Sequence, residues 1–341
     1  MSPFISFLLF SIAAASSISL SSSQPPEIDV RPFIIDYHNG TIVRDDVIPV
    51  NPVPPQSTPD PATGVVSKDV VLHSFRNLSA RVFLPTLNHS SRKIPILVYF
   101  HGGAFCIGSP FSEFDHLYLN RLTSQGKVVA ISINYRLFPE YTLPAAFEDA
   151  WFALEWVASQ SQTLAWTEPW IASHGDFSRI FLGGDSSGAT IVHNLAMRAS
   201  QDSLLYGLHI YGAILATPYF LGSGRVPLDP PNYTLTPFYR VWSYVCPRCP
   251  HGVDNPAVNP VGPRSPCLRR LAVEKVLVYT AEHDPLLGRS VRYVMGIRGS
   301  RWEGILAYYE GKNFSHVFHV SDPYNSETQL MITRVGQFLR D

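Results

Sequence analysis

Short apolar runs recur along the chain and alternate with longer stretches in which apolar residues recur every three or four positions. The runs predict buried strands, and the longer stretches predict helices with one face on a core. Strands and helices that alternate in this way indicate parallel pairing in an α/β layered fold. The predicted strands cover residues 69–73, 80–84, 94–100, 128–133, 180–182, 212–215, 276–280 and 305–309. The predicted helices lie near residues 113–122, 145–158, 189–198 and 286–297 and over a C-terminal segment that ends near Leu339.

Two stretches interrupt this alternation. Residues 24–65 are rich in proline and have little periodicity, whereas residues 218–269 combine proline with many aromatic residues. Long segments of the second kind are functional lids or disordered, and the aromatic content favours a lid over an irregular surface loop. We therefore predict one domain over residues 24–341, in which both segments form a cap. The cap is expected over the carboxyl edge of the sheet, where ligands bind in open α/β folds.

The strand near residue 180 leads into Gly184-Asp-Ser186-Ser-Gly188, and a predicted helix follows at once. In a strand–turn–helix context, Gly-x-Ser-x-Gly holds its serine in a strained turn with Oγ exposed above the sheet. The helix directs its free N–H groups toward whatever lies over that serine. Ser186 is therefore the candidate nucleophile. The alternative is an ordinary strand-to-helix turn that happens to match the pattern.

A second glycine-rich turn, His101-Gly102-Gly103-Ala104, follows the predicted strand 94–100. Glycines at this place let backbone N–H groups approach a substrate carbonyl closely. Together with the N–H of Ser187, those of Gly102 and Gly103 are the candidate oxyanion-hole donors. A glycine turn without a ligand is the alternative.

A serine nucleophile needs a base and an acid that orients it, in the chain order Ser, Asp, His for this type of site. Asp284 follows the strand 276–280 and is the candidate acid, although an aspartate there is also a common helix cap. Glu282 and Asp322 compete with it, but Asp322 comes after the histidines. His316 follows the strand 305–309 and is the candidate base. His319 is expected to pack or cap instead.

These motifs, in this order, resemble the plant carboxylesterases, a group in the hormone-sensitive-lipase branch of the α/β-hydrolases. Gibberellin receptors and 2-hydroxyisoflavanone dehydratases resemble the chain as well. The resemblance covers about residues 27–341 and implies an eight-stranded, mostly parallel sheet, a cap built from the N-terminal segment and an insertion, and esterase activity. It also implies that the first histidine of His-x-Phe-His is the base. The matching residues are Tyr99–Gly108, Asn134–Glu140, Pro144–Asp149, Gly184–Gly188, Glu282–Asp284 and His316–His319.

Departures from the family pattern refine the assignment. Ala104 replaces the third glycine of the His-Gly-Gly-Gly element, which leaves the oxyanion role to Gly102 and Gly103. The dehydratases can carry threonine at the nucleophile, so Ser186 favours hydrolysis without excluding elimination. The receptors lack the catalytic histidine, so His316 argues against a receptor that only binds its ligand. Arg136, Glu140 and Asp149 are expected to tie the loop after a core strand to the next helix.

The sequence therefore predicts a serine carboxylesterase that hydrolyses small to medium apolar carboxylic esters through Ser186, His316 and Asp284, with no metal or cofactor. Two alternatives stay open. One is a lyase, dehydratase or cyclase of specialised metabolism that uses the same site, and the other is a non-hydrolytic small-molecule receptor. The oligomeric state stays open as well.

Composition narrows the choice of partners. The chain has 341 residues, of which 45% are hydrophobic and 16% charged, and its formal net charge is −1. Without an excess of basic residues, nucleic acid is not an expected partner. Four cysteines are too few for a disulfide scaffold of this size, and the lone pair Cys246-x-x-Cys249 is a poor zinc motif. Pairing among Cys246, Cys249 and Cys267 stays open, and Cys106 is expected to be buried.

Residues 1–23 contain an apolar run followed by small residues and a serine-rich stretch, which predicts a secretory signal peptide that is too short to span a bilayer. No lysine or arginine lies near Met1, so a membrane anchor or a transit peptide is the alternative. If the segment is a signal peptide, we expect a secreted or vacuolar protein without stable membrane insertion after its removal; the alternative is a cytoplasmic protein. Glycosylation is expected, but Asn313 should carry no glycan because it lies beside His316. The sequons are Asn39, Asn77, Asn88, Asn232 and Asn313.

Overall fold

The computed structural model describes residues 27–44, 51–87, 93–162 and 167–341 of the chain. The predicted signal peptide and the sequon at Asn88 lie outside these residues. Near the N-terminus, strands β1 (Ile28–Val30), β2 (Ile34–Asp36) and β3 (Ile42–Val43) form a small antiparallel sheet. The main sheet has the eight strands that the sequence predicts. They are β4 (Val66–His73), β5 (Leu78–Leu84), β6 (Ile94–Phe100), β7 (Val129–Asn134), β8 (Gly175–Asp185), β9 (Ile210–Ala216), β10 (Lys275–Ala281) and β11 (Ile305–Gly311).

The order of strands in the main sheet is β11-β10-β9-β8-β6-β7-β5-β4. Pairing is parallel from β11 through to β7, and β5 and β4 join antiparallel at one edge. The sheet is therefore mostly parallel, and the carboxyl ends of its central strands lie at one edge. This is the α/β-hydrolase arrangement that the sequence predicts.

Helices cover both faces of this sheet, because its central strands are apolar on both sides. In β6, Ile96, Val98 and Phe100 belong to one hydrophobic core, whereas Leu97 and Tyr99 belong to the other. The described helices are α1 (Glu113–Gly126), α2 (Ala145–Ser159), α3 (Pro169–His174), α4 (Ser187–Arg198), α5 (Pro237–Val245), α6 (Leu287–Gly299), α7 (Phe318–Ser321) and α8 (Ser326–Arg340). Side chains of α2 and α4 fill the first core, and those of α1 and α8 fill the second. Within the described ranges, no helix is both long enough and apolar enough to cross a membrane.

Helix α5 lies in the proline-rich interval 218–269 and was not predicted from the sequence. Pro237 begins the helix rather than breaking it, because its fixed φ suits the first helical turn and its missing N–H is not needed there. The Thr236 side chain caps the same turn by accepting a hydrogen bond from the N–H of Tyr239 at 3.3 Å. A Thr-Pro pair ahead of apolar residues was therefore the signal for this helix.

Arg44 connects the N-terminal segment to the body of the protein. Its guanidinium donates to the carbonyl oxygens of Cys106 at 2.8 Å and Phe138 at 3.1 Å, and it forms an ion pair with Glu140. Arg136 and Asp149 form a two-pronged ion pair within the loop and helix that follow β7, as the sequence predicts. Glu140, which was grouped with that pair, instead holds the N-terminal segment.

The cysteines fall into two groups. Cys246 and Cys249 form a disulfide at the end of α5, which resolves the pairing left open by the sequence. Cys106 is a buried free thiol, as expected, and Cys267 is an exposed one.

Candidate active site

Ser186 occupies the turn between β8 and α4. Its backbone lies at φ 49° and ψ −117°, a strained conformation for any residue with a side chain. Two hydrogen bonds maintain it, because the Ser186 N–H donates to Ala216 at 3.0 Å and the Ser186 carbonyl accepts from the N–H of Tyr219 at 3.0 Å. Gly188 lies so close to β6 that a Cβ there would be 1.9 Å from the carbonyl oxygen of Phe100. The Gly-x-Ser-x-Gly pattern is thus required by packing.

His316 lies between Ser186 and Asp284. Its Nε2 is 2.8 Å from the Ser186 Oγ, and its Nδ1 is 2.9 Å from the Asp284 Oδ2. The Asp284 side chain is fully buried, and that of His316 is 10% exposed. A carboxylate can only accept, so Nδ1 carries the proton and Nε2 is free to accept one from the serine hydroxyl. The structure brings the three residues together in the arrangement of a nucleophile, a base and an orienting acid.

The backbone holds Asp284 in place after β10. Its second oxygen accepts a hydrogen bond from the N–H of Leu286 at 2.8 Å, so it also caps the turn before α6. The competing acids are elsewhere. Glu282 is partly exposed and accepts from the N–H of Asn313 at 2.9 Å, and Asp322 is exposed at the end of α7.

The oxyanion candidates lie on the turn after β6 and on the first residue of α4. Gly103 has φ +105°, and a Cβ there would be 2.1 Å from the Ile107 carbonyl oxygen, so only glycine fits. Its carbonyl accepts from the N–H groups of Cys106 and Ile107, which closes the loop into a tight turn. In the described part of the chain, the N–H groups of Gly103 and Ser187 donate to no acceptor.

Gly102 has different surroundings from the other two candidates. A Cβ at this position would be 2.3 Å from the Asp185 Oδ2, and the Gly102 N–H lies close enough to this carboxyl to lower its pKa. The Gly102 N–H therefore lies near the Asp185 carboxyl, whereas those of Gly103 and Ser187 have no acceptor in the described part of the chain.

A cavity of about 290 Å³ lies over Ser186 and is lined mostly by apolar groups. The Phe238 ring of α5 packs edge-on against the His316 ring at a centroid distance of 4.8 Å, and Phe33 of the N-terminal segment packs on Phe238 at 5.5 Å. The two segments interpreted as a cap therefore both contribute to the cavity wall. The lining residues are Pro32, Phe33, His101, Gly102, Gly103, Ile107, Gly108, Asp115, Asp185, Ser186, Phe238, His316, Val317, Val320 and Ser321.

Comparisons with known proteins identify the family of the chain. Residues 97–320 match the family model described as "alpha/beta hydrolase fold". The chain belongs to the α/β-hydrolases. Within them it falls in the plant group related to hormone-sensitive lipase, as the sequence motifs indicate.

This α/β-hydrolase has similar relatives over almost its whole length. It is 42% identical to a 2-hydroxyisoflavanone dehydratase of Glycyrrhiza echinata, over 95% of this chain and 99% of that protein. It is 38% identical to probable carboxylesterase 13 of Arabidopsis thaliana, over 92% of this chain and 97% of that protein. Among solved structures, esterase LipW from Mycobacterium marinum superposes with a TM-score of 0.67 at 22% identity, over 82% of each chain, which shows the shared fold.

Two carboxyl groups of this α/β-hydrolase lie in the cavity and were not found from the sequence. The Asp185 Oδ1 accepts from the Tyr99 hydroxyl at 2.8 Å, and Asp115 lies in the first turn of α1. Burial raises the pKa of Asp185 to about 6, against the opposing effect of the Tyr99 hydrogen bond. Burial, together with the charge of Asp185, raises the pKa of Asp115 to about 7. Raised carboxyl pKa values in a cleft are a signal of function that only a structure provides.

The two histidines next to the site differ in their roles from His316. The His101 ring stacks on Tyr135 at 4.4 Å, its Nδ1 is 2.8 Å from the Gly102 carbonyl oxygen, and burial lowers its pKa to about 4. His319 is fully buried, packs edge-on against Tyr118, and has a pKa lowered to about 3, mainly by burial. The sequence had led us to expect that His319 packs or caps.

Among the described residues of this α/β-hydrolase, no group of three or more His, Cys, Asp or Glu side chains is placed to hold a metal ion.

Proposed function

We propose that this protein is a serine carboxylesterase. The observation that carries the proposal is the continuous hydrogen-bonded chain from the Ser186 Oγ through His316 to the buried carboxyl of Asp284, at 2.8 and 2.9 Å. This is the geometry that a serine alcohol needs for activation by a neighbouring base. Ser186 and His316 line a mostly apolar cavity, which supports an organic ester as the substrate.

The reaction follows from the positions of these groups. The Ser186 oxygen attacks the ester carbonyl carbon while His316 Nε2 takes the hydroxyl proton. The resulting oxyanion accepts hydrogen bonds from the N–H groups of Gly103 and Ser187, with Gly102 as the third donor of the proposed set. His316 then donates the proton to the leaving alcohol, and the acyl-enzyme forms. A water molecule, deprotonated by His316, releases the carboxylic acid and restores Ser186.

The cavity supports small to medium apolar esters as the substrate class. Its volume of about 290 Å³ is at the lower end of the range for pockets that bind drug-sized ligands. Phe33, Phe238, Ile107 and Val320 supply apolar walls, and the lining contains no lysine or arginine. An acyl group with a strong negative charge therefore finds no counter-ion there.

Ester hydrolysis and active-site labelling test the proposal together. The substrate is 4-nitrophenyl butyrate, and the label is a fluorophosphonate that reacts with activated serines. We expect turnover and labelling in the unmodified protein and the loss of both in Ser186→Ala. Ser200→Ala is the matched control because this exposed serine lies just beyond the end of α4. Equal rates in the unmodified protein and Ser186→Ala would refute the proposal.

A second candidate function is dehydration by the same site, and the similarity to two 2-hydroxyisoflavanone dehydratases, at 42% and 39% identity, favours it. In that reaction His316 would take a proton from a carbon next to a carbonyl group. The hydroxyl group on the adjacent carbon would leave and take up this proton to become water. Mass spectrometry of a 2-hydroxyisoflavanone incubated with the protein decides the matter. Loss of one water from the substrate above the uncatalysed rate indicates dehydration, and its absence together with ester turnover leaves the carboxylesterase.

A further inference from the structure

The mostly apolar cavity over Ser186 contains two polar side chains that the proposed triad does not use and that lack part of their hydrogen bonds. They are Asp115, in the first turn of α1, and His101, at the end of β6. Both are more than nine-tenths buried, with exposed fractions of 6% and 1%. Buried polar groups in proteins are almost always paired, so unpaired ones in a binding cavity call for a partner from outside the chain.

Asp115 uses only one of its carboxyl oxygens within the protein. Ser112 caps α1 by accepting a hydrogen bond from the N–H of Asp115 at 3.2 Å, and the Ser112 hydroxyl donates in return to the Asp115 Oδ2. This reciprocal pair fixes the side chain. No residue in the described ranges hydrogen-bonds the Oδ1 atom, and Asp115 forms part of the cavity wall.

His101 lies beside the same cavity, but neither of its ring nitrogens is open to a ligand. Its Nδ1 is 2.8 Å from the Gly102 carbonyl oxygen, which can only accept, so Nδ1 carries the proton and Nε2 carries a lone pair. Nε2 has no hydrogen-bond partner among the described residues and is itself fully buried, which leaves Asp115 as the group that a ligand can reach. Burial keeps the ring neutral, because it lowers the pKa of His101 to about 4.

The charges around the cavity limit what can pair with Asp115. Burial raises the pKa of Asp115 to about 7 and that of Asp185 to about 6, so both protonation states of Asp115 are accessible near neutral pH. A protonated carboxyl donates a hydrogen bond and an ionised one accepts it, so a group that both donates and accepts suits Asp115 in either state. A carboxylate or phosphate ligand would be repelled, whereas a hydroxyl group fits.

We propose that the cavity recognises a hydroxyl group of the substrate through the free Oδ1 atom of Asp115. The aromatic rings of Phe33 and Phe238 on the same cavity favour a hydroxylated ring as the part of the substrate that lies there. The substrate class is then a phenolic or hydroxylated cyclic ester. This inference deepens the proposed carboxylesterase function, but the hydroxyl-binding step itself requires no turnover.

A site of this kind discriminates against analogues that lack the hydroxyl group. A methyl group in place of the hydroxyl has nearly the same size but leaves the Asp115 carboxyl unpaired in a closed cavity. Leaving a buried polar group unpaired is more costly than the net gain from pairing it. We expect the hydroxylated ligand to bind at least about tenfold more tightly than its methyl analogue.

The test measures binding to Ser186→Ala protein, so that esters survive and the result is independent of turnover. Methyl 3-(4-hydroxyphenyl)propionate and methyl 3-(4-methylphenyl)propionate are titrated by calorimetry at neutral pH. We expect the roughly tenfold preference for the phenol in this protein and a preference below about threefold when Asp115→Leu is added. Asp115→Ser is the second variant, because a serine can still pair with Ser112 while its hydroxyl is too short to replace the carboxyl in the cavity.

Glu113→Ala provides the matched control. Glu113 is an exposed carboxylate in the same first turn of α1, so its removal changes the charge at the helix N-terminus without changing the cavity wall. The preference for the phenol should be unchanged in this variant. Equal affinity for the two ligands in the starting protein, or a preference that persists when Asp115 is replaced, overturns the proposal. If the unmodified protein hydrolyses no ester, the proposed carboxylesterase function is wrong, but the preference for the phenol in binding still stands.

Discussion

Replacing Asp284 with asparagine tests the orienting role of the buried carboxyl. The change removes one negative charge and keeps the same number of heavy atoms. The amide oxygen can still accept from the N–H of Leu286, which the carboxylate binds at 2.8 Å. The NH₂ group then faces His316 Nδ1, where an oxygen lies at 2.9 Å in the unmodified protein. Because the amide donates, Nδ1 must accept, and the ring proton moves to Nε2.

The consequence for catalysis is large because Nε2 is the atom that must take the serine proton. With the proton already on Nε2, the ring cannot act as a base until the hydrogen bond from the new amide group to Nδ1 is broken. The imidazolium that forms during the reaction also loses a fully buried counter-charge. The same substitution in a well-studied serine protease lowers kcat by about 10⁴. We expect a decrease of about 10³ to 10⁴ here, or about 4 to 5.5 kcal/mol of transition-state stabilisation.

The assay is the hydrolysis of 4-nitrophenyl butyrate under saturating substrate, with the rate of fluorophosphonate labelling as a second readout. Thermal unfolding of each variant shows whether the protein is folded. Glu282→Gln and Asp322→Asn are matched controls, because they neutralise the two carboxylates that compete with Asp284 in the sequence. Asp322 is exposed and Glu282 partly exposed, and neither forms a hydrogen bond or ion pair with His316. Their kcat should stay within about threefold of the unmodified protein.

Retention of a tenth or more of kcat in folded Asp284→Asn would show that the carboxyl does not set the tautomer of His316. A comparable loss in Asp322→Asn would show that the orienting acid has been assigned to the wrong residue. Either result would refute the argument from geometry.

Three further variants test the packing of the fold. Arg289→Met leaves the fully buried carboxyl of Asp229 without its partner, and the free energy of unfolding in urea should fall by about 3–5 kcal/mol. Gly188→Ala places a Cβ 1.9 Å from the Phe100 carbonyl oxygen, so the variant should lose more than about 4 kcal/mol or fail to accumulate as folded protein. His319→Phe should make stability less sensitive to acid. The folded-state pKa of His319 is about 3, against 6.5 when unfolded, so only the unfolded chain takes up this proton between those pH values. Stability therefore falls with falling pH, and the variant should reduce that slope by about 1.4 kcal/mol per pH unit in urea unfolding between pH 6 and 4.

Each of these variants has a control elsewhere in the chain. Arg298→Met removes an exposed arginine from the same helix α6, and Gly299→Ala adds a Cβ where nothing lies within 4 Å. His209→Phe replaces an exposed histidine. All three should change stability by less than about 0.5 kcal/mol. An Arg289→Met or Gly188→Ala protein as stable as its control, or an unchanged pH slope in His319→Phe, would contradict the corresponding argument.

The sequence was sufficient for the sheet and for the residues of the triad because both follow from local patterns. Ser186, Asp284 and His316 each lie in the short segment that follows a parallel strand, and parallel strands bring their carboxyl ends to one edge of a sheet. Once these strands were predicted to be parallel neighbours, it followed that the three residues lie close together at that edge. Gly188 illustrates the same point. Only glycine fits there because β6 lies so close, and this requirement appears in the sequence as the last glycine of the Gly-x-Ser-x-Gly motif.

Contacts between distant segments could not be predicted in this way. Asp115 lies in an amphipathic helix and reads as an ordinary residue of the first helical turn, where acidic side chains are common. Its place in the cavity depends on how α1 approaches Asp185, which lies 70 positions later in the chain. Glu140 was assigned to a local loop, but its partner Arg44 precedes it by 96 positions. Neither the periodicity of apolar residues nor the spacing of motifs predicts such contacts between distant segments.

The bonds of the N-terminal segment determine when the cavity can close during synthesis. This segment leaves the ribosome first, yet the carbonyl groups that Arg44 binds belong to residues 62 and 94 positions later. The carbonyl oxygen of Asp29 accepts from Arg240, which follows 211 positions later, at 3.0 Å. A nascent chain shorter than this has strands β4 to β9 of the main sheet but lacks β10, β11 and helix α5, against which Phe33 packs. The reaction centre is therefore completed late in translation, when the oldest part of the polypeptide meets some of the newest.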